Sequence, residues 1–201
     1  MALPASRIGE KLFRDVGKVL EQALGIAWVP IAIRHGKRPS RVVAKIARTI
    51  QEEAAQGRTL LFEEALRGVK DLAGGRFLIL YLDDVRRAHQ VFCEYIQKRR
   101  NVRLDGDAQD YNSFPTPSGY RGLHQGLLLR IAQDSFFPFE VQFLTFLQAD
   151  WSLKEHLIYE NPSLFPEKLK NELREVSDRL HDISVSFDGL RTEINRIRGS
   201  P

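Results

Sequence analysis

The chain has 201 residues, of which 43% are hydrophobic and 28% charged, and it carries a net charge of +4. That length supports one sizeable core burying about 70% of the unfolded surface, and the mix of apolar and charged groups excludes a disordered chain. Cys93 is the single cysteine, which excludes an intrachain disulfide scaffold or a Cys-rich metal site.

No segment approaches the ~20 apolar residues of a membrane span. The N-terminus, "MALPASRIGEKLFRDVGK", scatters charges where a secretory leader would be apolar. A cytoplasmic protein that makes no membrane contact is therefore expected, with residues 1–201 forming one domain.

Pro4 to Leu24 reads as an amphipathic helix with Ile8, Leu12, Val16, Leu20 and Leu24 on one face. "IAWVPIAIR", Ile26 to Arg34, is apolar and β-branched, but Pro30 confines it to an edge or a break. Ser40 is a plausible N-cap for a helix to about Ala54, with Val43, Ile46, Ala47 and Ile50 inward and Arg41, Lys45 and Arg48 as a basic stripe. From Gln22 to Gln51 there is no acidic residue. Such a block attracts phosphate-bearing partners, although a solvated helix face explains charge alone equally well.

"GGRFLILYLDDV" predicts a strand over Arg76 to Tyr81, then a helix capped by Asp83 or Asp84 and carrying Val85, Ala88, Val91, Phe92 and Tyr95. A basic cluster, "QKRRNVR", leads to "DYNSFPTPSGYRGLHQG". Two strands follow, "GLHQGLLLR" and "FPFEVQFLT", whose short polar spacer predicts an antiparallel pair. Alternation puts Phe139, Val141 and Phe143 on one face and Glu140 and Gln142 on the other. A helix from about Leu147 to Tyr159 ends before Pro162.

From about residue 163 to 198, Leu169, Leu173, Val176, Leu180, Ile183, Phe187, Leu190, Ile194 and Ile197 form a heptad seam. This long helix is expected to pack on the body, with self-association as a further role. The order of elements describes an α+β fold, with a core over about 26–160.

The chemistry-bearing residues are weak signals one at a time. Asp71 could cap a turn, Glu140 could be a surface residue, and His124 and His156 could be structural imidazoles. Together, a basic helix stripe, two carboxylates and an aromatic beside glycine are the parts of a phosphoryl-transfer site.

Their spacing is more specific. "DYNSFPTPSGYRGLH" resembles, without gaps, the "DYI..PK.NGYRSLH" signature of the RelA/SpoT family of alarmone synthetases. "FEVQFLTFLQADWSLKEHLIY" resembles that family's "EIQIRT..M..WA..EH..Y", and "VKDLAGGRFLILYLDDV" its "D..G.R.......D". The resemblance covers about Arg34 to Tyr159, and the C-terminal helix is similar to that of the small, single-domain synthetases.

The resemblance implies a nucleotidyltransferase-like mixed or antiparallel sheet flanked by helices. It also implies Mg²⁺-dependent transfer of the β,γ-diphosphate of ATP to the ribose 3′-hydroxyl of GDP or GTP, releasing AMP. Asp71 and Glu140 match the metal-binding carboxylates, and Glu140 also matches the group that activates the hydroxyl. Tyr120 matches the tyrosine that stacks on guanine, with His124 beside the acceptor's phosphates or sugar and Arg121, Gln142 and His156 as further acceptor-side residues. Lys37, Lys45 and Arg76 match the ATP side, with Arg34, Ser40 and Arg41 as candidates.

Some positions depart from the pattern. His35 stands where arginine is usual, Arg41 where serine is usual, Thr116 and Ser118 where Lys and Asn are usual, and Leu144 where Arg is usual. A site chooses substrates through such polar contacts, so the acceptor stays open. The alternatives are a relative that modifies the 3′ end of tRNA and a non-catalytic nucleotide- or RNA-binding relative. The tRNA reading needs a continuous basic surface leading to Tyr120. His181-Asp182 lacks the histidine pair of an HD hydrolase and reads as a surface dipeptide.

Overall fold

The computed structural model describes residues 4–26, 29–34, 39–68, 73–133, 135–160 and 164–199. The chain runs α1 (Pro4–Leu24), β1 (Ile31–Arg34), α2 (Pro39–Ala55), α3 (Phe62–Gly68), β2 (Ala73–Ile79), α4 (Asp83–Gln97), β3 (Val102–Asp110), β4 (Leu123–Ala132), β5 (Ser135–Thr145), α5 (Phe146–Glu160) and α6 (Glu167–Arg198). Its five strands form one mixed sheet in the order β1-β2-β5-β4-β3. β2 and β5 are parallel, and every other neighbouring pair is antiparallel. The expected α+β class, with helices flanking the sheet and a long helix at the end, describes the molecule.

Alternation along the strands gives the sheet a dry face and a polar face. On the dry face, Phe77, Leu127, Leu129, Phe139, Val141 and Phe143 pack under α1, through Phe13, Val16 and Leu20, and under α4, through Val85, Ala88 and Phe92. The α1 stripe lies where the 3.6-residue period places it, with Phe13 added to it. Close approach depends on Gly75: a Cβ there would lie 2.5 Å from the Phe13 ring, which itself stacks on Phe77 at 4.5 Å.

Five expectations are corrected. β3 was not anticipated, because "VRLDGDAQD" has no apolar alternation: it is an edge strand with a bulge between Asp105 and Gln109, and an edge needs little apolar surface. β2 begins at Ala73 and ends at Ile79, earlier than the apolar run suggested. On α2, Ile46 is buried with Val42 and Ile50 beside it, whereas Val43 and Ala47 are exposed. Its inward stripe is a narrow i, i+4 row over the small cluster shared with α3. The cap of α4 is Leu82, with no side-chain bond of its own. The oxygen that accepts from the Asp83 N–H (3.2 Å) belongs to Asp188 of α6, and Asp84 pairs with Arg191 of α6 at 2.6 Å.

The fifth correction has the largest consequence, since α6 does lie on the body but not through its apolar seam. Its buried residues are Ser177, Ser184 and Asp188, while Val176, Ile183, Phe187, Leu190, Ile194 and Ile197 are exposed by 44–73%. The surface that α6 meets explains this. Ser177 Oγ donates to the Gly119 carbonyl, Trp151 Nε1 to the Leu173 carbonyl, and Arg121 pairs with Asp178 at 2.9 Å. Backbone carbonyls and charged groups require small polar partners at close range, and a Phe or Ile row satisfies neither requirement.

Candidate active site

The polar face of the sheet floors a cavity of about 960 Å³, at the upper end of the roughly 300–1,000 Å³ of a single small-molecule site. Its floor is ordered by register. Arg34, Gly74, Glu140, Gly126 and Asp105 stand in one rank across the five strands, and Ala32, Arg76, Gln142, His124 and Gln109 stand in the next. Walls are supplied by α5 through Ser152, Glu155 and His156, by α2 through Lys45, and by the loop after β3 through Thr116, Ser118 and Tyr120.

These side chains form one continuous polar chain. The Tyr120 hydroxyl lies 2.6 Å from His124 Nε2, and His124 Nδ1 lies 3.4 Å from Glu140 Oε1. Burial pushes the Tyr120 hydroxyl well above its ordinary pKa, so it stays a donor. Gln142 Nε2 donates to Glu140 Oε2 (2.6 Å), and Gln142 Oε1 accepts from Arg76 Nε (2.7 Å). Arg76 continues to Ser152 Oγ at 3.3 Å. Gln142, expected on the acceptor side, lines the cavity and couples Arg76 to Glu140.

The loop from Asp110 to Gly122 is locally determined. Asp110 Oδ1 accepts from the N–H groups of Asn112 and Ser113, and Asp110 Oδ2 accepts from Arg86 at 2.8 Å. Gly119 has φ +94°, and a Cβ there would meet Ser177 at 3.1 Å and the α6 backbone at 3.3 Å. The turn therefore needs glycine both for its left-handed backbone and for the approach of α6. Thr116 and Ser118 bond to each other at 3.0 Å, and Thr116 Oγ1 accepts the Tyr120 N–H at 3.0 Å. Leu144 is fully buried beneath Gly122, where a Cβ would come within 2.3 Å of it.

The sequence candidates divide into three groups. Glu140, Gln142, Arg76, Tyr120, His124, His156 and Lys45 converge on the cavity. Arg121 does not line it: its guanidinium bonds to the Asn112 carbonyl and to Asp178, so it anchors α6 and is corrected from an acceptor contact to a brace. Asp71, Lys37 and His35 lie outside the described residues, and Arg34, Ser40 and Arg41 are described through their backbone alone. His181 faces the Arg121 guanidinium, which with burial lowers its pKa; it is half-buried rather than on the surface.

Three acidic residues of the cavity lie outside the sequence candidates. Glu155 stands beside His156 in the "KEHLIY" match. Asp105 and Asp107 sit on the unanticipated strand β3 and carried no signal. Glu140 offers hard oxygens of the kind Mg²⁺ requires, and Asp105 leans over Gly126, its Oδ2 lying 3.6 Å from where a Cβ would stand. The donor set therefore fits a hard cation, although no three His, Cys, Asp or Glu among the described residues form a closed metal cluster. Also among the described residues, no helix is long and apolar enough to cross a membrane.

Comparison with known proteins agrees with this geometry. Residues 34–163 match the model of the region found in RelA / SpoT proteins. The GTP pyrophosphokinase YwaC of Bacillus subtilis (strain 168) is 24% identical over 144 residues, covering 70% of this chain and 66% of that relative, just under two thirds of its length. Among solved structures, small alarmone synthetase 1 from Bacillus subtilis bound to its product pppGpp aligns with TM-score 0.70 at 21% identity over 96% of this chain and 95% of that one. A GTP pyrophosphokinase family protein from Streptococcus pneumoniae aligns with TM-score 0.72 at 19% identity over 98% and 94%. These likenesses show a shared fold, and the family match, which takes in strands β2 to β5, shows that the chain belongs to the RelA/SpoT family.

Proposed function

We propose that the chain is a nucleotide pyrophosphokinase that moves the β,γ-diphosphate of ATP to the ribose 3′-hydroxyl of GDP or GTP, releasing AMP. The observation that carries this reading is the unbroken chain Tyr120–His124–Glu140–Gln142–Arg76 along one wall-to-wall cavity. An aromatic ring at one end, a guanidinium at the other and a carboxylate between support a reading in which they serve a base, phosphates and the reacting hydroxyl.

Lys45 and Arg76, which line the cavity, bind the triphosphate, and Lys37, Arg34, Ser40 and Arg41 are the further ATP-side residues that the family resemblance implies. Glu140, held by Gln142 and facing His124, takes the proton from the 3′-hydroxyl as its oxygen bonds to the β-phosphorus and the bond to AMP breaks. Glu140 and Asp71 are the residues that would hold Mg²⁺, which supplies charge neutralisation on the transferred phosphates.

The tRNA reading lacks its required surface among the described residues. Arg99 is engaged with Tyr95 and Arg103 lies over the Phe136 ring at 4.3 Å. Between that cluster and Tyr120, β3 presents Asp105 and Asp107 to the cavity. The exposed apolar seam of α6 supports self-association through a second copy of the chain. Light scattering of the wild type and of Ile183→Asp/Phe187→Asp tests this: a monomeric wild type removes it.

The decisive assay supplies γ-labelled ATP and Mg²⁺ with GDP, GTP, ADP or bulk tRNA. Labelled guanosine product with stoichiometric AMP, abolished by chelator, is the expected result. Label confined to tRNA would transfer the case to the RNA reading, and binding without transfer would leave a non-catalytic relative.

A further inference from the structure

We propose that the hydrogen bond between Gln148 and Asn112 is a latch that positions the loop after β3 against the strand bearing Glu140. The inference rests on the acceptor reading above and deepens it by naming two positioning residues, neither of which lines the cavity. Gln148 stands in the first turn of α5 and is 7% exposed. Its Oε1 accepts the Thr145 N–H at 2.9 Å, and its own N–H donates to Thr145 Oγ1 at 3.2 Å. This reciprocal pair is a capping box, which satisfies two donors at the start of a helix. It also orients the amide: with the oxygen turned to a backbone N–H, the nitrogen faces the loop. Gln148 Nε2 donates to Asn112 Oδ1 at 2.6 Å. One side chain therefore ties together the end of β5, the start of α5 and the loop.

Asn112 passes that restraint on to the cavity. Its N–H donates to Asp110 Oδ1 at 3.0 Å and its carbonyl accepts from Arg121 at 3.2 Å, so its backbone is held as well as its side chain. The preceding residue, Tyr111, lines the cavity, its ring edge-on to Tyr120 at 5.7 Å and to His124 at 5.1 Å. A loop released at Asn112 would let Tyr111 shift and Tyr120 follow, whereas Lys45 and Arg76 stand on α2 and β2. The latch therefore governs the acceptor side and spares ATP.

The energetics give the pair a signature. Removing one partner leaves a polar group of the other unpaired, which costs more than the bond itself contributes; replacing both by apolar groups of similar shape removes that penalty. The motif patterns set out above have Ile at the position of Asn112 and Met at that of Gln148. The bonded pair is thus particular to this chain, and Ile with Met is the apolar pair to set against it.

The test is a double-mutant cycle on the full chain, with wild type, Asn112→Ile, Gln148→Met and the double variant. Calorimetry measures GDP binding with the ATP site filled by the α,β-methylene analogue of ATP, the affinity for that analogue is the control, and transfer kinetics use ATP and GDP. Each single variant should weaken GDP binding and raise the GDP KM by about 10-fold, the scale of a buried polar group left unpaired, with kcat moving less and the analogue's affinity unchanged. The double variant should recover most of that loss. Exchange of the Tyr111 amide, which donates to the Gly122 carbonyl at 2.8 Å, should quicken in the single variants and slow again in the double. GDP affinity unmoved in both single variants would overturn the inference, as would losses that multiply in the double variant or an equal loss of the ATP analogue. GDP bound by wild type but never labelled would sink the proposed activity while the binding cycle still decides the latch. Wild type that binds no GDP would overturn both.

Discussion

The two faces of β5 share one backbone and meet opposite requirements. Phe139, Val141 and Phe143 point into an interior made almost wholly of apolar side chains, with the bonded pair Gln125–His89 beside them, and each is at most 1% exposed. Glu140 and Gln142, the residues between, point into a cavity where each side chain is bonded to the next. The first face tolerates any packing that fills the space, whereas the second depends on which atom faces which. A strand is well suited to both because successive side chains diverge by half a turn, so the rigid core holds the reactive groups in register.

Substitutions on either face should therefore fail in different assays. Glu140→Gln is expected to lower transfer by about 10²–10⁴-fold, the range of a lost acid–base group, with an unchanged unfolding midpoint; near wild-type turnover would remove Glu140 from the chemistry. Phe143→Ala, on the other face, should cost about 3–5 kcal/mol of stability in urea denaturation, while protein that remains folded keeps its KM for ATP.

Gly119→Ala lies where the loop meets α6. It should cost more than about 1 kcal/mol, the scale of a side chain forced to positive φ, and raise the acceptor KM selectively; an unchanged acceptor KM would separate α6 from the site. Asp188→Ala removes the donated cap of α4 and should cost about 1 kcal/mol, with faster amide exchange at Asp83.

The smallest effect is a pH dependence. Burial raises the Asp110 carboxyl, but the Arg86 bond, the Ser113 hydroxyl and two backbone N–H groups outweigh it and hold it below the ordinary 3.8. A depressed acid stabilises the fold above its unfolded pKa and loses that contribution as pH falls through the folded value. The stability gap between wild type and Asp110→Asn should accordingly be widest near neutrality and narrow at about pH 3. A constant gap would show that the Asp110 contacts act without its charge.

Much of the fold was legible because its elements obey simple periods. The α1 stripe, the β4–β5 hairpin and the division of β5 into Phe and Glu/Gln faces follow from 3.6- and 2-residue repeats. β3 and the inward row of α2 were not legible, since an edge strand and a helix over a two-residue cluster bury too little to leave a pattern. The site was partly legible through the spacing of Tyr120, His124 and Glu140. Arg121 and Glu155 were misjudged for a common reason: a guanidinium beside a motif and a carboxylate within one look the same in sequence whether they face the cavity or the scaffold.

By itself the sequence determined the family, the alternation that builds the sheet, and the residue types able to perform phosphoryl transfer, all of which are local or regularly spaced. Tertiary structure alone decided which way α6 turns. Its apolar seam is the stronger pattern, yet the surface beneath it presents the Gly119 carbonyl, the Trp151 indole N–H, the start of α4 and Arg121. Such a surface accepts serine and aspartate at hydrogen-bonding distance and excludes a row of bulky side chains, because unpaired buried polar groups cost more than exposed apolar ones.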